Sequence, residues 1–167
     1  MSNEVNATKA NEAPTRLADG TYQPVLTVSD LDRCGRRWML GASIYNYESQ
    51  CAPAVMFATE PALRKIYAGD EEGYRRSLLS TYRYYNATPQ VSGLLLGAGL
   101  ALEDKGHNDA IDAVQDLKIG LMGSLSGVGD TIFAILIPTI FGSIAAYMGQ
   151  AGNPVGVLLW LAVAIAI

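Results

Sequence analysis

The sequence predicts an all-α integral membrane protein with cytoplasmic amphipathic helices, a glycine-rich re-entrant region and one or two transmembrane helices. Three observations support this fold class. All 12 Lys and Arg residues lie at or before Lys118. The segment from Thr131 to Ile167 contains no Asp, Glu, Lys, Arg or His, which is typical of bilayer-spanning segments because a charge at bilayer depth costs about 3 kcal/mol or more. Upstream of it, apolar residues recur at helical spacing.

The first 24 residues are predicted to be a disordered tail, followed by a membrane domain over residues 25–167. The tail is rich in Asn, Ala, Glu and Thr, so burial cannot offset the entropy of ordering it. It also lacks the apolar core of a signal peptide, so the first membrane segment must direct insertion. Because Lys and Arg are concentrated ahead of the apolar segments, the positive-inside rule predicts a cytoplasmic N-terminus.

A first helix is predicted from Thr27 onwards, with Thr27 or Ser29 as its N-cap. One face is apolar and contains Leu31, Cys34, Trp38, Ala42 and Tyr45. The opposite face carries Arg33, Arg36 and Arg37. Such a helix lies in a membrane interface with its guanidinium groups at lipid headgroups, or it is a soluble helix whose basic face is solvated. The residues alone leave both interpretations open.

Two more helices are predicted before the apolar half of the chain. Pro61 fits the first position of a short helix, and Asp70 fits the N-cap of another helix that runs to about Asn86. The second helix has a predicted buried stripe of Tyr74, Leu78, Tyr82 and Tyr85. Its predicted outward face carries Arg75, Arg76 and Arg83. This pattern favours ordinary core or interface packing over a sugar-binding platform.

The apolar half begins at Thr88, a helix cap that is followed by Pro89 at the first helical position. The 14 residues from Pro89 to Leu102 reach roughly 21 Å as a helix. Because the hydrocarbon core is about 30 Å thick, this length predicts a re-entrant or half-buried segment. Residues 131–149 are long enough to span the bilayer, and Pro138 in their middle predicts a kink or break.

Composition excludes several classes of protein. A net charge of −4 and a pI near 4.9 argue against nucleic-acid binding, which needs a clustered excess of Lys and Arg. Cys34 and Cys51 have neither the spacing nor the His partners of a zinc site, and we predict no metal and no cofactor. His107, the single His, is predicted to be a solvated loop residue rather than a phosphoryl acceptor. No catalytic group is predicted, because no nucleophile, base and orienting group occur together.

Asp130 is the main candidate for binding or gating a substrate. It ends a glycine-rich stretch and precedes the uncharged span, and an ionisable group at membrane depth is a functional hypothesis by default. The alternative is that Asp130 only caps a helix beginning at Thr131. Asn46 and Glu48 are second candidates, although they can equally bind backbone groups at a helix end. Four glycines are predicted to permit close helix packing, within the chain or against a partner: Gly120, Gly123, Gly127 and Gly129.

The glycine-rich run KIGLMGSLSGVGDTIF, residues 118–133, resembles the signature of the IID components of the mannose/fructose/sorbose family of the bacterial phosphotransferase system. That signature reads approximately K-x-G-L-M-G-P-L-A-G-I-G-D-S-x-F. Further matches occur in family order at residues 46–48, 61–67, 85–89 and 150–156. The chain departs from the family at three places: it has Thr88 in place of a common His, Ser124 in place of Pro, and Ser49-Gln50-Cys51 in place of R-M-Q.

The resemblance implies a subunit of a sugar permease in the bacterial cytoplasmic membrane. A IIC membrane subunit would be its partner in a hetero-oligomer, and IIA and IIB proteins would carry the phosphoryl group. A hexose would then be taken up and phosphorylated in one coupled process. Family members continue with further apolar helices, so the resemblance also implies a domain that is incomplete at its C-terminus. The alternative function is a membrane anchor or regulatory subunit without transport activity.

Overall fold

The computed structural model describes residues 14–166, which form seven α-helices. These are α1 (Val28–Gly41), α2 (Ala52–Ile66), α3 (Glu71–Thr81), α4 (Pro89–Gly106), α5 (Ile111–Gly129), α6 (Ile137–Gln150) and α7 (Val155–Ala166). A short 3₁₀ turn, His107–Ala110, joins α4 to α5, and a π-helical segment, Asp130–Leu136, joins α5 to α6. The described residues contain only isolated β-bridges and no strand, so the all-α prediction is confirmed.

The predicted disordered tail falls mainly on residues 1–13, which lie outside the described residues. Residues 14–24 differ from that prediction, because they form a turn that is attached to the rest of the chain. Within this turn, the backbone N–H of Gln23 donates to the carbonyl of Thr15 at 2.9 Å. The N–H of Tyr22 donates to the carbonyl of Lys105 at the end of α4, at 2.8 Å. These backbone hydrogen bonds stabilise the turn, and they could not be predicted from the composition of the segment.

Helix α1 begins as the sequence predicts, with Thr27 as its N-cap. The Thr27 hydroxyl accepts from the Asp30 N–H at 3.3 Å, and the Asp30 carboxylate accepts from the Thr27 N–H at 2.8 Å. The middle of the apolar face of α1 packs on protein, whereas Leu31 and Tyr45 at its two ends are exposed. Trp38 is 2% exposed, and its indole N–H donates to the carbonyl of Pro89 at 2.9 Å. This face therefore joins α1 to the start of α4, so Trp38 is not available to a lipid interface.

Pro61 lies inside α2 rather than at the start of a helix, so that prediction was wrong. A proline in a helix leaves the carbonyl four residues earlier without its usual N–H donor. Here that carbonyl belongs to Phe57, and Arg37 of α1 donates to it from Nε at 2.7 Å. The Arg37 guanidinium also lies 4.0 Å from the centroid of the Phe57 ring. A side chain of a neighbouring helix thus satisfies the carbonyl and allows α2 to continue through Pro61.

Helix α3 has the predicted N-cap but a different end. The Asp70 carboxylate accepts from the Gly73 N–H at 2.9 Å, whereas the helix stops at Thr81 instead of continuing to about Asn86. Beyond Thr81 the chain no longer follows the predicted stripe, because Tyr85 is fully buried while Tyr82 is 42% exposed. Residues 82–88 form the connection from α3 to α4.

The core consists of two clusters of buried side chains. One lies among α1, α2 and α4 and includes Trp38, Val55, Ala58, Tyr85 and Leu95. The other lies among α2, α3, α4 and the start of α5 and includes Leu63, Ile66, Tyr74, Leu100 and Ile111. The side chains of α6 and α7, by contrast, are almost all exposed or only partly covered in the single chain. The N-terminal helices therefore supply the folded core, and the C-terminal helices present apolar surface.

The glycine-rich region is helical throughout and contains no break. Its geometry changes at Asp130, where the backbone enters the π-helical segment and Ile137 donates to the carbonyl of Ile132. A π-helical bond spans five residues instead of four. Pro138 follows immediately and cannot donate, so the wider spacing accommodates a proline that the sequence predicted to kink or break the helix.

The helical stretch Pro89–Gln150 contains an 18-residue window of mean hydropathy 1.9, and none of that window is buried inside the structure. It is the one stretch of the described residues that is long and apolar enough to cross a membrane. The stretch is not a single rod, because His107 has φ 46° and α4 and α5 pack against each other on either side of it. Helix α7 is apolar but shorter.

Candidate functional site

Asp130 lies at the junction of α5 and the π-helical segment, and its carboxylate is held by two hydroxyl groups. Thr88 Oγ1 donates to Oδ1 at 2.7 Å, and Ser126 Oγ donates to Oδ2 at 3.3 Å. Asp130 has helical backbone angles, φ −63° and ψ −38°, and helical turns continue on both sides of it. The alternative interpretation of Asp130 as the N-cap of a helix beginning at Thr131 was therefore wrong.

Thr88 occupies the N-cap position of α4, as predicted, but its hydroxyl makes no capping bond. Instead, Thr88 Oγ1 contacts α5 and its π-helical continuation: it lies 3.1 Å from the carbonyl oxygen of Ser126 and 2.7 Å from Asp130 Oδ1. A threonine hydroxyl has one proton, and the shorter contact goes to the charged acceptor. Thr88 is only 7% exposed, whereas Asp130 is exposed, so the bond is partly buried on the Thr88 side. The sequence identified Thr88 as a departure from the family and gave no sign that it contacts Asp130.

The four glycines predicted to permit helix packing do not behave alike. A Cβ atom on Gly129 would lie 2.4 Å from Thr88 Cβ, so the missing side chain is what lets Thr88 reach Asp130. At Gly120, Gly123 and Gly127, a Cβ atom would meet nothing within 4 Å. Those three glycines face open space in the single chain, and a packing role for them stays a prediction about a partner.

Asn46 and Glu48 lie in a tight turn between α1 and α2. The Asn46 side chain closes this turn: its Oδ1 accepts from the Ser49 N–H at 2.7 Å, and its Nδ2 donates to Ser49 Oγ at 2.9 Å. The turn pairs with the connection that carries Thr88, because Cys51 N–H donates to the carbonyl of Tyr85 at 2.8 Å. The bonds of Asn46 thus match the backbone-binding alternative. The Glu48 side chain is exposed, and a role for either residue in binding sugar stays a prediction.

Lys118 binds the other end of the connection between α3 and α4, near residues 80–83. This lysine is 5% exposed, and its ammonium group donates to the carbonyls of Ser80, Thr81 and Arg83 at 3.2–3.4 Å. Ser80 and Thr81 lie in the last turn of α3, and Arg83 lies two residues beyond its end. The Ser80 carbonyl also accepts from the backbone N–H of Arg83 at 3.2 Å. Lys118 therefore binds the C-terminal end of α3, and with Asp130 it attaches both ends of residues 80–88 to α5 and its π-helical continuation.

Glu103 forms a buried polar cluster that sequence reasoning missed. It is 2% exposed, and its Oε2 accepts from the hydroxyls of Ser77 and Tyr67, the latter at 3.0 Å. Burial and the adjacent Glu103 carboxylate raise the pKa of Tyr67. A cavity of about 30 Å³ lined by both Glu103 and Lys118 has room for a water molecule. The available signal in the sequence was the acidic pair Glu103 and Asp104, which directly follows the apolar run ending at Leu102.

His107 is 4% exposed, so the prediction of a solvated loop residue was wrong. Its ring stacks on Tyr22 with centroids 3.8 Å apart and meets the edge of Tyr67 at 5.4 Å. The reason is the turn of residues 14–24, which covers the end of α4 and brings Tyr22 onto the imidazole. The ring is enclosed by these aromatic side chains and serves as a packing element.

A sequence profile described as the PTS system mannose/fructose/sorbose family IID component matches residues 25–167. The chain belongs to this family. It is 34% identical over 143 residues to the PTS system mannose-specific EIID component of Escherichia coli K12, with 84% of this chain and 50% of the relative covered. It is 31% identical over 126 residues to the fructose permease IID component of Bacillus subtilis 168, with 74% of this chain and 45% of the relative covered.

Among solved structures, the IID chain is similar to one in the cryo-electron microscopy structure of the mannose transporter ManYZ and microcin E492 complex. The TM-score is 0.73 at 32% identity, with 83% of this chain and 52% of the other covered. A chain described as a membrane protein gives a TM-score of 0.69 at 33% identity, with 82% and 51% covered. This chain thus spans about half the length of the relatives it matches. It is a membrane protein of the IID family and is all-α over the residues that the structure describes, as the sequence predicted.

Proposed function

We propose that this IID chain forms the sugar translocation unit with a IIC membrane subunit and takes up a hexose that is phosphorylated on release. Phosphorylated IIB, supplied by IIA, is the phosphoryl donor in this proposal. The matched relatives include components named for mannose, fructose and sorbose, which supports a hexose as substrate. The chain contributes binding or gating groups and no phosphoryl chemistry.

One observation supports this proposal best: a hydrogen-bonded carboxylate on an exposed apolar helix face. Asp130 is exposed in the single chain, and its neighbours along the helix are uncharged. A charged group at membrane depth is stable only towards a protein partner or a water-filled cavity. The open glycines Gly123 and Gly127 precede it on the same helix and would admit a closely packed partner helix. The IIC subunit therefore covers this face, and Asp130 lies at the shared cavity.

We also propose that the N-terminal part of the chain, including α1 to α3, lies on the cytoplasmic side. All Lys and Arg residues lie at or before Lys118, and the segments that translocate least readily are those rich in Lys and Arg. This orientation puts the polar helices on the side where phosphorylated carrier proteins are found.

Asp130→Asn tests the transport proposal when the protein is expressed with IIC, IIB and IIA. The amide keeps the size of the side chain but removes the charge that the Thr88 hydroxyl and a sugar hydroxyl would bind. Because a hydrogen bond to a charged group contributes about 1.5–3 kcal/mol, uptake of radiolabelled hexose should fall by at least about tenfold.

Asp116→Asn is the matched control, because Asp116 is an exposed carboxylate on the same helix. It should leave uptake unchanged, and both variants should co-purify with IIC. Normal uptake by Asp130→Asn would remove Asp130 from the site. If the wild-type protein binds IIC but the complex takes up no sugar, the chain is a membrane anchor or regulatory subunit instead.

A further inference from the structure

The bundle of helices α1 to α5 has two ends, which the contacts between its elements define. At the Asp104 end, the Asp104 carboxylate in α4 accepts from two backbone N–H groups just before α1, at 2.9 and 3.1 Å. At the Asp130 end, Trp38 in the last turn of α1 donates to the carbonyl of Pro89 at the start of α4. Thr88, the residue before Pro89, donates to Asp130 at the end of α5. Helix α1 therefore runs from the Asp104 end to the Asp130 end.

The exposed side chains of α1 change from charged to apolar along this direction. Asp32, Arg33 and Arg36 are exposed in its first part and middle. In the last turn, Met39 is 64% and Leu40 79% exposed. The apolar surface of α1 that the bundle leaves uncovered is therefore largest at the Asp130 end.

Helix α5 shows the same change, although it follows a different part of the sequence. Its exposed carboxylates, Asp112 and Asp116, lie in the half that begins at the Asp104 end. Towards the Asp130 end, Ile119 is 55% and Leu121 43% exposed. The uncharged segment from Thr131 onwards then continues from this end of the bundle. Two separate helices thus expose apolar side chains towards the end from which the uncharged helices leave.

The turn between α1 and α2 extends this apolar surface at the Asp130 end. Ile44 is 41%, Tyr45 58% and Tyr47 93% exposed. The turn is fixed by two backbone hydrogen bonds, in which the N–H groups of Asn46 and Gln50 donate to each other's carbonyls at 3.2 and 3.1 Å. The exposed aromatic rings are therefore held in place by the fold.

We propose that this end surface lies in the headgroup region of the lipid bilayer, at the level where the uncharged helices enter it. The end surface consists of five exposed side chains: Met39, Leu40, Ile44, Tyr45 and Tyr47. Tyrosine is enriched at this depth of a membrane, because its ring is apolar and its hydroxyl is polar. The exposed carboxylate of Glu48 in the same turn keeps the turn at headgroup level, out of the hydrocarbon core.

Continuity with the uncharged segment favours lipid over a soluble protein as the occupant of the end surface. That segment begins next to Asp130 and contains no charged residue up to Ile167, so the bilayer begins at the same end of the bundle. The inference goes beyond the proposed function, because none of the five side chains contacts Asp130 and the contact with lipid does not depend on sugar transport.

The experiment measures how closely lipid approaches a fluorophore that is attached to one cysteine at a time. Leu40→Cys and Tyr47→Cys are each labelled with the environment-sensitive dye NBD. The protein is purified with any subunits that co-purify and is reconstituted in vesicles of phosphatidylglycerol and phosphatidylethanolamine. Lipid that carries a nitroxide near its headgroup should quench both dyes, whereas aqueous iodide should quench them weakly. Both replaced side chains are exposed and both native thiols are buried, so we expect folded and selectively labelled protein, which thermal unfolding verifies.

Val28→Cys is the matched control, because Val28 is an 83% exposed apolar residue of the same helix. It lies twelve residues before Leu40, roughly 18 Å away along the helix, at the Asp104 end. Its dye should be quenched readily by iodide and at least about twofold less by the nitroxide lipid than the dyes at residues 40 and 47.

Two results would overturn the proposal. Equal quenching by the nitroxide lipid at residues 28, 40 and 47, or ready quenching of all three by iodide, would show that the end surface has no special contact with lipid. Protection of residues 40 and 47 from both quenchers would show that a protein subunit covers the end surface instead.

Discussion

At the scale of single residues, two long side chains bind backbone carbonyl groups of another helix. Pro61 leaves the carbonyl of Phe57 without a helical donor, and Arg37 supplies one from α1. Lys118 of α5 donates to carbonyls at the end of α3. Unpaired buried carbonyl groups are costly, so the Arg37 bond allows α2 to continue through Pro61, and the Lys118 bonds attach the end of α3 to α5.

The Arg37 bond predicts a specific pattern of stability changes. Arg37→Met keeps an apolar side chain of similar length but leaves the Phe57 carbonyl without a donor and removes the cation–π contact. We expect the free energy of unfolding to fall by about 2 kcal/mol, measured by denaturant unfolding in detergent. Arg33→Met, which changes an exposed arginine of the same helix, should change it by less than about 0.5 kcal/mol.

A double-mutant cycle sharpens this test. Pro61→Ala restores the N–H that a helix directs to the Phe57 carbonyl. In the Pro61→Ala background, Arg37→Met should therefore cost clearly less than in the wild type. Equal costs in the two backgrounds would show that Arg37 acts through something other than this carbonyl.

The same scale explains why some residues were predictable and others were not. Thr27 and Asp70 were identified as caps because each bonds a residue three positions away in the sequence. Asp130 was identified as a candidate from its position, but its partner Thr88 lies on another helix. The burial of His107 and Glu103 likewise depends on side chains from distant segments. Such contacts between distant segments cannot be predicted from local periodicity and spacing.

At the scale of helices, α5 and its π-helical continuation carry the most distinctive surface. Gly129 is used inside the chain against Thr88, whereas Gly120, Gly123 and Gly127 remain open. The sequence predicted the function of these glycines as a group, since all of them fit the same motif. The packing of α4 against α5 shows that Gly129 makes an internal contact whereas the other three glycines are open.

Gly123→Ala distinguishes a partner surface from an internal contact. Alanine improves helix propensity by up to about 1 kcal/mol, and the new methyl group meets nothing within 4 Å. We therefore expect the isolated chain to unfold at the same or a higher temperature, while co-purification of IIC falls. Gly129→Ala should instead lower the thermal stability, because its methyl group would collide with Thr88.

Gly149→Ala is the control for propensity alone, since Gly149 is another helical glycine without neighbours. It should leave IIC binding unchanged. Undiminished IIC binding by Gly123→Ala would argue that the open glycines face lipid.

At the scale of the whole molecule, the chain divides into a packed N-terminal part and an apolar C-terminal part. The sequence predicted this division from the charge distribution and the helical spacing of apolar residues. It did not predict the continuous helix through the glycine-rich region, because glycine and proline each indicate a break. The helix continues because the π-helical segment before Pro138 uses hydrogen bonds that span five residues instead of four.

The proposed cytoplasmic N-terminus can be tested by thiol labelling without removing the native cysteines. Cys34 and Cys51 are buried, and burial raises the pKa of both thiols. The maleimide-reactive thiolate is therefore scarce near pH 7.5. Ala18→Cys adds an exposed thiol in the described turn. It should react with an impermeant maleimide in opened membranes, at least about tenfold faster than the wild-type protein, and should not react in intact cells.

Rapid labelling of Ala18→Cys from outside intact cells would show that the N-terminal part faces outwards.

The raised pKa values of Cys34 and Cys51 also predict how the stability of the protein depends on pH. Both native thiols keep their protons to a higher pH in the folded than in the unfolded state, so their contribution to stability is complete below about pH 9 and is lost as the pH rises further. Native-state labelling of Cys34 and Cys51 should increase over the same range.

The double attachment of residues 80–88 has a mechanical consequence. Lys118 and Asp130 are twelve positions apart on one helical stretch, roughly 18 Å, and each holds one end of that segment. Two separated anchor points prevent the segment from pivoting about either one. Any displacement of α5 would therefore either break these bonds or displace residues 80–88 and the end of α3 with it.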